Sequence, residues 1–118
     1  MNGIRVRLAA DAGPVQSALR RYRIDELPRE RQAFVVQLLE RGRMRIAERT
    51  PAESGRLRRS WQDGESGDAR VRRMEGASVS EVLLENGVSY VKYVEYGTRR
   101  MAPRGMVRGG LAALAAEI

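Results

Sequence analysis

The feature that most constrains the fold is a long amphipathic segment between Pro28 and Pro51. Its apolar positions recur at helical spacing and fall within about 140° of arc at 100° per residue. These positions are Phe34, Val35, Leu38, Leu39, Gly42 and Ile46. Asp25 and Pro28 favour a helix start, and Pro51 disfavours helical geometry at Thr50. The pattern therefore predicts one long helix that ends near Arg49.

Shorter apolar segments predict a small sheet. Near the start of the chain, apolar residues alternate with arginines, which is typical of a strand with one buried face, whether at a sheet edge or at a fraying terminus. The apolar residues are Ile4, Val6 and Leu8. Residues 69–74 and 79–85 predict two more strands, joined by a hairpin connection over 75–78. We therefore expect an α+β fold, with a small antiparallel sheet packed against the long helix and a C-terminal helix.

The remaining segments are shorter and less regular. Asp11 and Pro14 predict a helix start, followed at helical spacing by Val15, Ala18, Leu19 and Tyr22. We expect a loop around Pro51 and Gly55, and a strand that begins within residues 57–61. Residues 111–118, rich in Ala and Leu, predict the C-terminal helix.

The length of 118 residues predicts one domain spanning 1–118. Two segments rich in turn-forming residues are expected to be flexible loops within it. Residues 62–68 read QDGESGD, and residues 99–110 read RRMAPRGMVRGG. Gly and polar residues at this density favour irregular structure over helix or strand.

The chain is strongly basic, with 22 Lys and Arg against 15 Asp and Glu and a net charge of +7. All but one of the basic residues are Arg, the exception being Lys92. A GC-rich genome explains this bias most simply. Selection for bidentate contacts to carboxylate or phosphate is the functional alternative, and a basic chain of this size suits nucleic acid, an acidic protein or an anionic surface as partner.

Composition also excludes several kinds of chemistry. The chain has no His and no Cys, which removes Ser-His triads, Cys-His dyads and zinc sites with the usual ligands. It has no Gly-rich phosphate loop that ends in Lys. We therefore expect no enzyme activity, no catalytic residues, no metal site and no cofactor. No apolar run approaches the roughly 18 residues of a membrane span, and the first ten residues do not read as a signal peptide.

Two groups of residues are candidates for an interface. The first is on the long helix, where Arg41, Arg45 and Arg49 stand four residues apart. Such arginines are either a solvated face relieved by nearby glutamates or a basic contact patch. The second group lies in the 99–110 segment, which is either a connector or an arm that docks on another subunit; its candidates are Arg99, Arg100, Arg104, Met106 and Arg108.

Tyrosines recur every three residues in the segment SYVKYVEYGT, at 90, 93 and 96. On one helical turn they would form a ridge, for which packing in the core or at an interface is the usual explanation. Glu95 beside such a ridge requires a partner. We expect that partner to be an arginine across a subunit boundary.

These segments resemble a family of phage proteins, the tail-completion or head–tail joining (neck) proteins of tailed bacteriophages with long non-contractile tails, also found in prophages and gene-transfer agents. The family typically shows Pro-x-Asp-Thr-Gly-x-Leu-x-x-Ser after a helix, and residues 51–60 here read PAESGRLRRS. The family then shows Tyr-Ala-x-x-Val-Glu-(Phe/Tyr)-Gly-Thr, and residues 90–98 read YVKYVEYGT. The matching residues that we expect to hold structure are Pro51, Ser54, Gly55, Leu57, Ser60, Tyr90, Tyr93, Glu95, Tyr96, Gly97 and Thr98.

A third family stretch, rich in proline before a C-terminal helix, is only echoed here by Pro103 and the residues after it. The resemblance spans residues from about 28 to 118 and leaves the first 25 uncovered. Within it, Gly55 is expected to turn the chain from helix to sheet, and Gly97 to end a helical turn in the left-handed conformation. Thr50 or Ser54 is expected to satisfy backbone groups at the corner.

The resemblance implies a structural virion protein located at the head-proximal end of the tail, in the host cytoplasm during assembly. It implies a homo-oligomeric ring, of six copies by expectation, that contacts a head-connector or stopper protein and a tail terminator or tail-tube protein. DNA would pass through the channel without sequence-specific binding and no membrane would be involved. The alternative is a small basic nucleic-acid-binding domain, supported by the sequence pI of 10.9; a toxin or ribosome-associated factor rests on size and charge alone.

Overall fold

A computed structural model of the chain describes residues 3–11, 13–51, 55–62, 69–75, 80–88 and 90–118. Helices and strands are mixed along the chain. In order they are β1 (Ile4–Ala9), α1 (Gly13–Arg21), α2 (Pro28–Glu48), α3 (Gly55–Gln62), β2 (Ala69–Glu75), β3 (Ser80–Asn86), α4 (Val91–Tyr96) and α5 (Met106–Glu117).

The described strands form an antiparallel sheet of three, in the order β1-β3-β2. In β1, Val6 pairs with Leu84 of β3, and both side chains are buried on the face that packs against α2. Arg5 lies on the other face, where it forms an ion pair with Glu85 at 3.6 Å. The predicted α+β fold is confirmed, with the small antiparallel sheet on the long helix and a C-terminal helix beside it. The hairpin connection expected over 75–78 lies outside the described residues except for Glu75, which ends β2.

The long helix was predicted correctly, and α2 places its apolar stripe in the core. Val35, Leu39 and Ile46 are almost completely buried, and Phe34 lies at the edge of the core. At the N-terminal end of α2, Pro28 occupies the first helical position, where a missing N–H costs nothing. Tyr22, which was predicted to follow at helical spacing, lies just beyond α1, because α1 ends at Arg21, and its side chain is 59% exposed.

The strand expected within residues 57–61 is wrong, because this segment is the helix α3. Leu57 and Trp61 are fully buried, and Ser60 between them is buried as well. A spacing of four residues puts two side chains on one face in a strand and in a helix alike, so Leu57 and Trp61 alone do not distinguish the two. Arg43 of α2 caps the end of α3 by donating hydrogen bonds to the carbonyls of Trp61 and Gln62.

The C-terminal helix begins five residues earlier than predicted, at Met106, so the flexible loop expected over 99–110 is wrong for its second half. Glycines within α5 allow it to lie close against α2. A Cβ atom on Gly110 would stand 2.7 Å from Cγ1 of Ile46 and 2.8 Å from its backbone nitrogen. The other predicted loop, 62–68, lies outside the described residues except for Gln62, which ends α3.

Candidate functional site

The tyrosine-rich segment forms α4, a short helix that divides its residues between the core and the surface. Val91 and Val94 face the core and are buried. Tyr93 and Tyr96 face outward, with exposed fractions of 58% and 68%. The predicted ridge is therefore divided: Tyr90, the N-cap residue of α4, packs partly buried against the core, and only Tyr93 and Tyr96 lie on the surface of the isolated chain. Since these two tyrosines are not covered, a role in core packing is wrong for Tyr93 and Tyr96.

Glu95 is buried, with only 4% of its surface exposed, and its partners are backbone groups of α5. One carboxylate oxygen accepts the N–H of Val107 at 2.7 Å, and the other accepts the N–H of Arg108 at 3.2 Å. These N–H groups belong to the first turn of α5, which has no acceptors inside the helix and carries a partial positive charge. The expected arginine partner for Glu95 is therefore wrong, because a helix N-terminus of the same chain satisfies its charge.

The N-terminus of α5 needs an acceptor from elsewhere in the chain because its N-cap residue is a glycine. Gly105, the N-cap of α5, has φ 59° and ψ 35° and has no side chain that could accept a hydrogen bond. Glu95 supplies the missing acceptor from a different helix. It thus holds the N-terminal end of α5 against α4.

Gly97 ends α4 in a conformation that favours glycine strongly. Its φ of 78° is positive, as predicted, but its ψ of 176° differs from that of the left-handed helical region and belongs to a region that only glycine enters readily. A Cβ atom here would stand 2.7 Å from the carbonyl oxygen of Met101 and 2.7 Å from the nitrogen of Pro103. The chain therefore folds back tightly on itself directly after Tyr96.

Backbone hydrogen bonds hold the returning loop against α4. The N–H of Thr98 donates to the carbonyl of Met101 at 2.8 Å, and the N–H of Arg104 donates to the carbonyl of Val94 at 2.9 Å. The N–H of Gly105 donates to the carbonyl of Glu95. The bonds to Val94 and Glu95 satisfy carbonyls at the C-terminus of α4 that would otherwise lack donors, and the bond between Thr98 and Met101 closes the loop itself.

This corner presents a set of exposed side chains that we call the tyrosine–arginine surface. It consists of Tyr93, Tyr96, Arg99, Arg100, Met101 and Arg104. Tyr, Met and Arg are the residue types enriched at protein–protein interfaces, and Tyr and Arg are enriched among the residues whose loss weakens binding most. The surface is therefore suited to bind a macromolecule and offers no arrangement for covalent chemistry.

The described residues of the first family-like segment, Pro51 and 55–60, lie on either side of the corner between α2 and α3. Leu57 is fully buried, and Thr50 donates a hydrogen bond to the carbonyl of Ile46 at 2.9 Å, as predicted. Gly55 starts α3 without a positive φ, so the expectation that it turns the chain from helix to sheet is wrong. Pro51 directly precedes this corner, and Ser54 lies outside the described residues.

A buried polar link joins the first family-like segment to the end of β3, which precedes the second segment. Asn86, at the end of β3, donates to the hydroxyl of Ser60 at 2.8 Å, and its side-chain oxygen accepts the N–H of Val88 at 3.0 Å. Ser60 in turn donates to the carbonyl of Leu57. Asn86 was not predicted as a structural residue, although an Asn before Gly is suited to bond its own backbone two residues on.

The arginines predicted on the long helix are only partly available to a partner. Arg41 is exposed, whereas Arg45 forms ion pairs with Glu117 at 2.6 Å and with Glu48 at 2.9 Å. The hydrogen bond to Glu117 is the main reason that the pKa of Arg45 is raised above its usual value. Arg49 donates to the carbonyl of Arg45. The patch is therefore relieved by glutamates, as one of the two interpretations expected.

In the second predicted group, Arg108 is exposed but Met106 is not. Met106 is fully buried, and its sulfur lies 3.4 Å from the hydroxyl oxygen of Thr50. Its proposed place in an interface is wrong, because it packs in the core of its own chain at the start of α5. Of the sequence-predicted residues, the structure thus brings Arg99, Arg100 and Arg104 next to the tyrosines and leaves the α2 arginines apart.

Other kinds of site have little support in the described part of the chain. Within it, no group of three or more acidic, His or Cys residues is placed to hold a metal ion. Among the helices of these residues, none combines the length and the apolar character that crossing a membrane requires.

None of the family models, curated proteins or solved structures compared with this chain matches it significantly.

Proposed function

We propose that the chain is a structural protein of the phage neck, which forms a homo-oligomeric ring at the head-proximal end of the tail. The ring, with six copies, completes the tail and joins it to the head connector. It leaves a channel through which DNA passes without sequence-specific binding. Its neighbours in the virion are a head-connector or stopper protein on one side and a tail terminator or tail-tube protein on the other.

The first support is the location of the family-like segments in the fold. The described residues of the first segment, Pro51 and 55–60, flank the corner between α2 and α3, and residues 90–98 form α4 and the return of the chain after it. The hydrogen bond between Asn86 and Ser60 joins the first segment to the end of β3, directly ahead of the second segment. Both segments serve to hold shape, since their inward residues are buried or hydrogen-bonded. This is the role that the resemblance to neck proteins implies for them.

The observation that carries the proposal is how the second segment divides its residues. Glu95 and Gly97 lock the corner from inside, through the contact with α5 and the tight return of the chain. Tyr93, two residues before Glu95, and Tyr96, between Glu95 and Gly97, remain on the surface. A rigid corner with exposed aromatic side chains and adjacent arginines loses little side-chain entropy on binding, which is what a repeated subunit contact requires.

The proposal is tested by the mass and shape of the purified protein. We expect light scattering after size exclusion to give a multiple of the 13.2-kDa chain mass, six-fold by the proposal, and negative-stain electron microscopy to show annular particles. Arg99→Ser/Arg100→Ser should weaken this assembly. Arg20→Ser/Arg29→Ser removes the same charge at exposed positions outside the surface and should leave it intact. A chain that stays monomeric at high concentration would contradict the proposal.

A further inference from the structure

An apolar groove lies at the C-terminal end of α5, away from the tyrosine–arginine surface. It has a volume of about 200 Å³ and opens to solvent between β1, α1 and α5. The apolar residues that line it include Leu8, Val15, Leu111, Leu114, Ala115 and Ile118. Arg7 lies at its rim, with a side chain that is 51% exposed.

The groove suits the ring of a tyrosine. An apolar cavity of about 150 Å³ accommodates a benzene molecule, so one phenol ring fits the available volume. Because the groove opens to solvent, the hydroxyl of such a ring can stay in contact with water at the rim, the arrangement that tyrosine favours at interfaces.

The chain exposes such a ring at the opposite end of the same helix. Tyr96 is 68% exposed and belongs to the corner that Glu95 holds against the first turn of α5. The groove is lined by residues of the last two turns. A 12-residue helix is about 18 Å long, so Tyr96 cannot reach the groove of its own chain but can reach that of another copy.

Charges near the two surfaces are complementary. Beside Tyr96 the loop exposes Arg99, Arg100 and Arg104, and the sequence has no acidic residue from 96 to 116. Near the groove, Asp11 pairs with Arg7 at 3.9 Å and Glu117 pairs with Arg45 at 2.6 Å. Both carboxylates stay partly exposed, with side-chain exposures of 54% and 32%, and an ionised carboxylate has lone pairs for a further arginine. Opposite charges across an interface steer association and fix its register.

We propose that Tyr96 of one copy inserts into this groove of the next copy, with the loop arginines facing the rim carboxylates. The two surfaces differ, so the contact is head-to-tail and repeats around a closed ring. This inference rests on the proposed ring function and names the interface that would build the ring. It assigns the receiving surface to β1, α1 and α5 rather than to the arginines of α2.

The test uses two variants that each remove one half of the contact. Tyr96→Asp puts a charge in place of the inserting ring, and Ala115→Trp fills the groove from an exposed helical position. Matched controls are Tyr22→Asp, at a tyrosine 59% exposed, and Ala112→Trp, at an exposed α5 position that does not line the groove. Melting temperatures of all four variants establish that each chain folds.

We expect each interface variant alone to remain monomeric under conditions in which the unsubstituted chain and both controls form rings. An equimolar mixture of the two variants should give a heterodimer and nothing larger. The Tyr96→Asp chain keeps its groove and the Ala115→Trp chain keeps its Tyr96, so only one contact can form between them. If either folded variant still forms rings, or if the mixture yields no dimer, the inference is wrong while the ring itself stands. If the unsubstituted chain forms no ring, the proposed function fails and this interface with it.

Discussion

The Glu95 carboxylate accepts the backbone N–H of Val107 at 2.7 Å, in the first turn of a helix that starts eleven residues further along the chain. This contact sets the direction of α5 relative to α4. It also explains why a glutamate can be buried in a family-like segment without an arginine partner, since oriented N–H groups and the helix N-terminus stabilise the negative charge. Glu95 is thus an internal support of the surface beside it.

Replacing Glu95 should destabilise the isolated chain. We expect Glu95→Ala to lower the free energy of unfolding by about 1–3 kcal/mol, because two N–H groups at the start of α5 lose a charged acceptor. Glu95→Gln keeps one side-chain oxygen and should cost less. Urea denaturation of the three chains checks this order. An unchanged midpoint for Glu95→Ala would mean that the contact does not hold α5.

Gly97 should tolerate no side chain. Gly97→Ala forces a Cβ into contact with the Met101 carbonyl and places Ala at φ 78° and ψ 176°, for which we expect a cost of about 1–3 kcal/mol. Gly87→Ala is the matched control, since nothing lies within 4 Å of its added Cβ. Thermal unfolding should show a lower melting temperature for Gly97→Ala only. Equal melting temperatures would contradict the tight return of the chain after α4.

Adjacent glycines of α5 should respond with opposite signs. Gly110→Ala brings a methyl group within 3 Å of the Ile46 backbone, so it should push α5 away from α2 and destabilise the chain. At Gly109 the added methyl group meets only the flexible Arg49 side chain, and Ala is favoured over Gly in a helix by about 1 kcal/mol. We therefore expect Gly109→Ala to raise the denaturation midpoint and Gly110→Ala to lower it. Two shifts of the same sign would contradict this packing.

DNA binding separates the proposed function from the nucleic-acid-binding alternative. A chain with a net charge of +7 should bind DNA weakly and without sequence preference, and binding should be lost as salt rises, because counterion release supplies its affinity. Fluorescence anisotropy with duplexes of several sequences over a salt series measures this. Tight, sequence-dependent binding at physiological salt would favour the alternative.

The parts of the fold that were predictable are those governed by local periodicity. The six apolar positions of α2, together with Pro28 and Pro51, determine its length, and the alternation around Val6 predicts β1. The helix α3 was not predicted because the four-residue spacing of Leu57 and Trp61 fits both the two-residue period of a strand and the 3.6-residue period of a helix. The start of α5 was not predicted because Gly109 and Gly110 disfavour a helix. In the fold, Gly110 permits the close contact of α5 with Ile46.

The candidate site was predictable in its residues but not in its partners. The three-residue spacing of Tyr93 and Tyr96 correctly predicts one helical face. Which face is exposed depends on where Val91 and Val94 meet the core, and that is a tertiary property. The partner of Glu95 is a pair of backbone N–H groups twelve and thirteen residues away, and no side-chain pattern in the sequence marks backbone groups.

The most direct test of the neck-protein account is an electron-microscopic count of joined particles. The gene is deleted in the host that carries it, and lysates are compared with those complemented by the unsubstituted chain. The account predicts DNA-filled heads and separate tails without the protein, and joined particles when it is restored. Joined, infective particles in its absence would contradict the central claim.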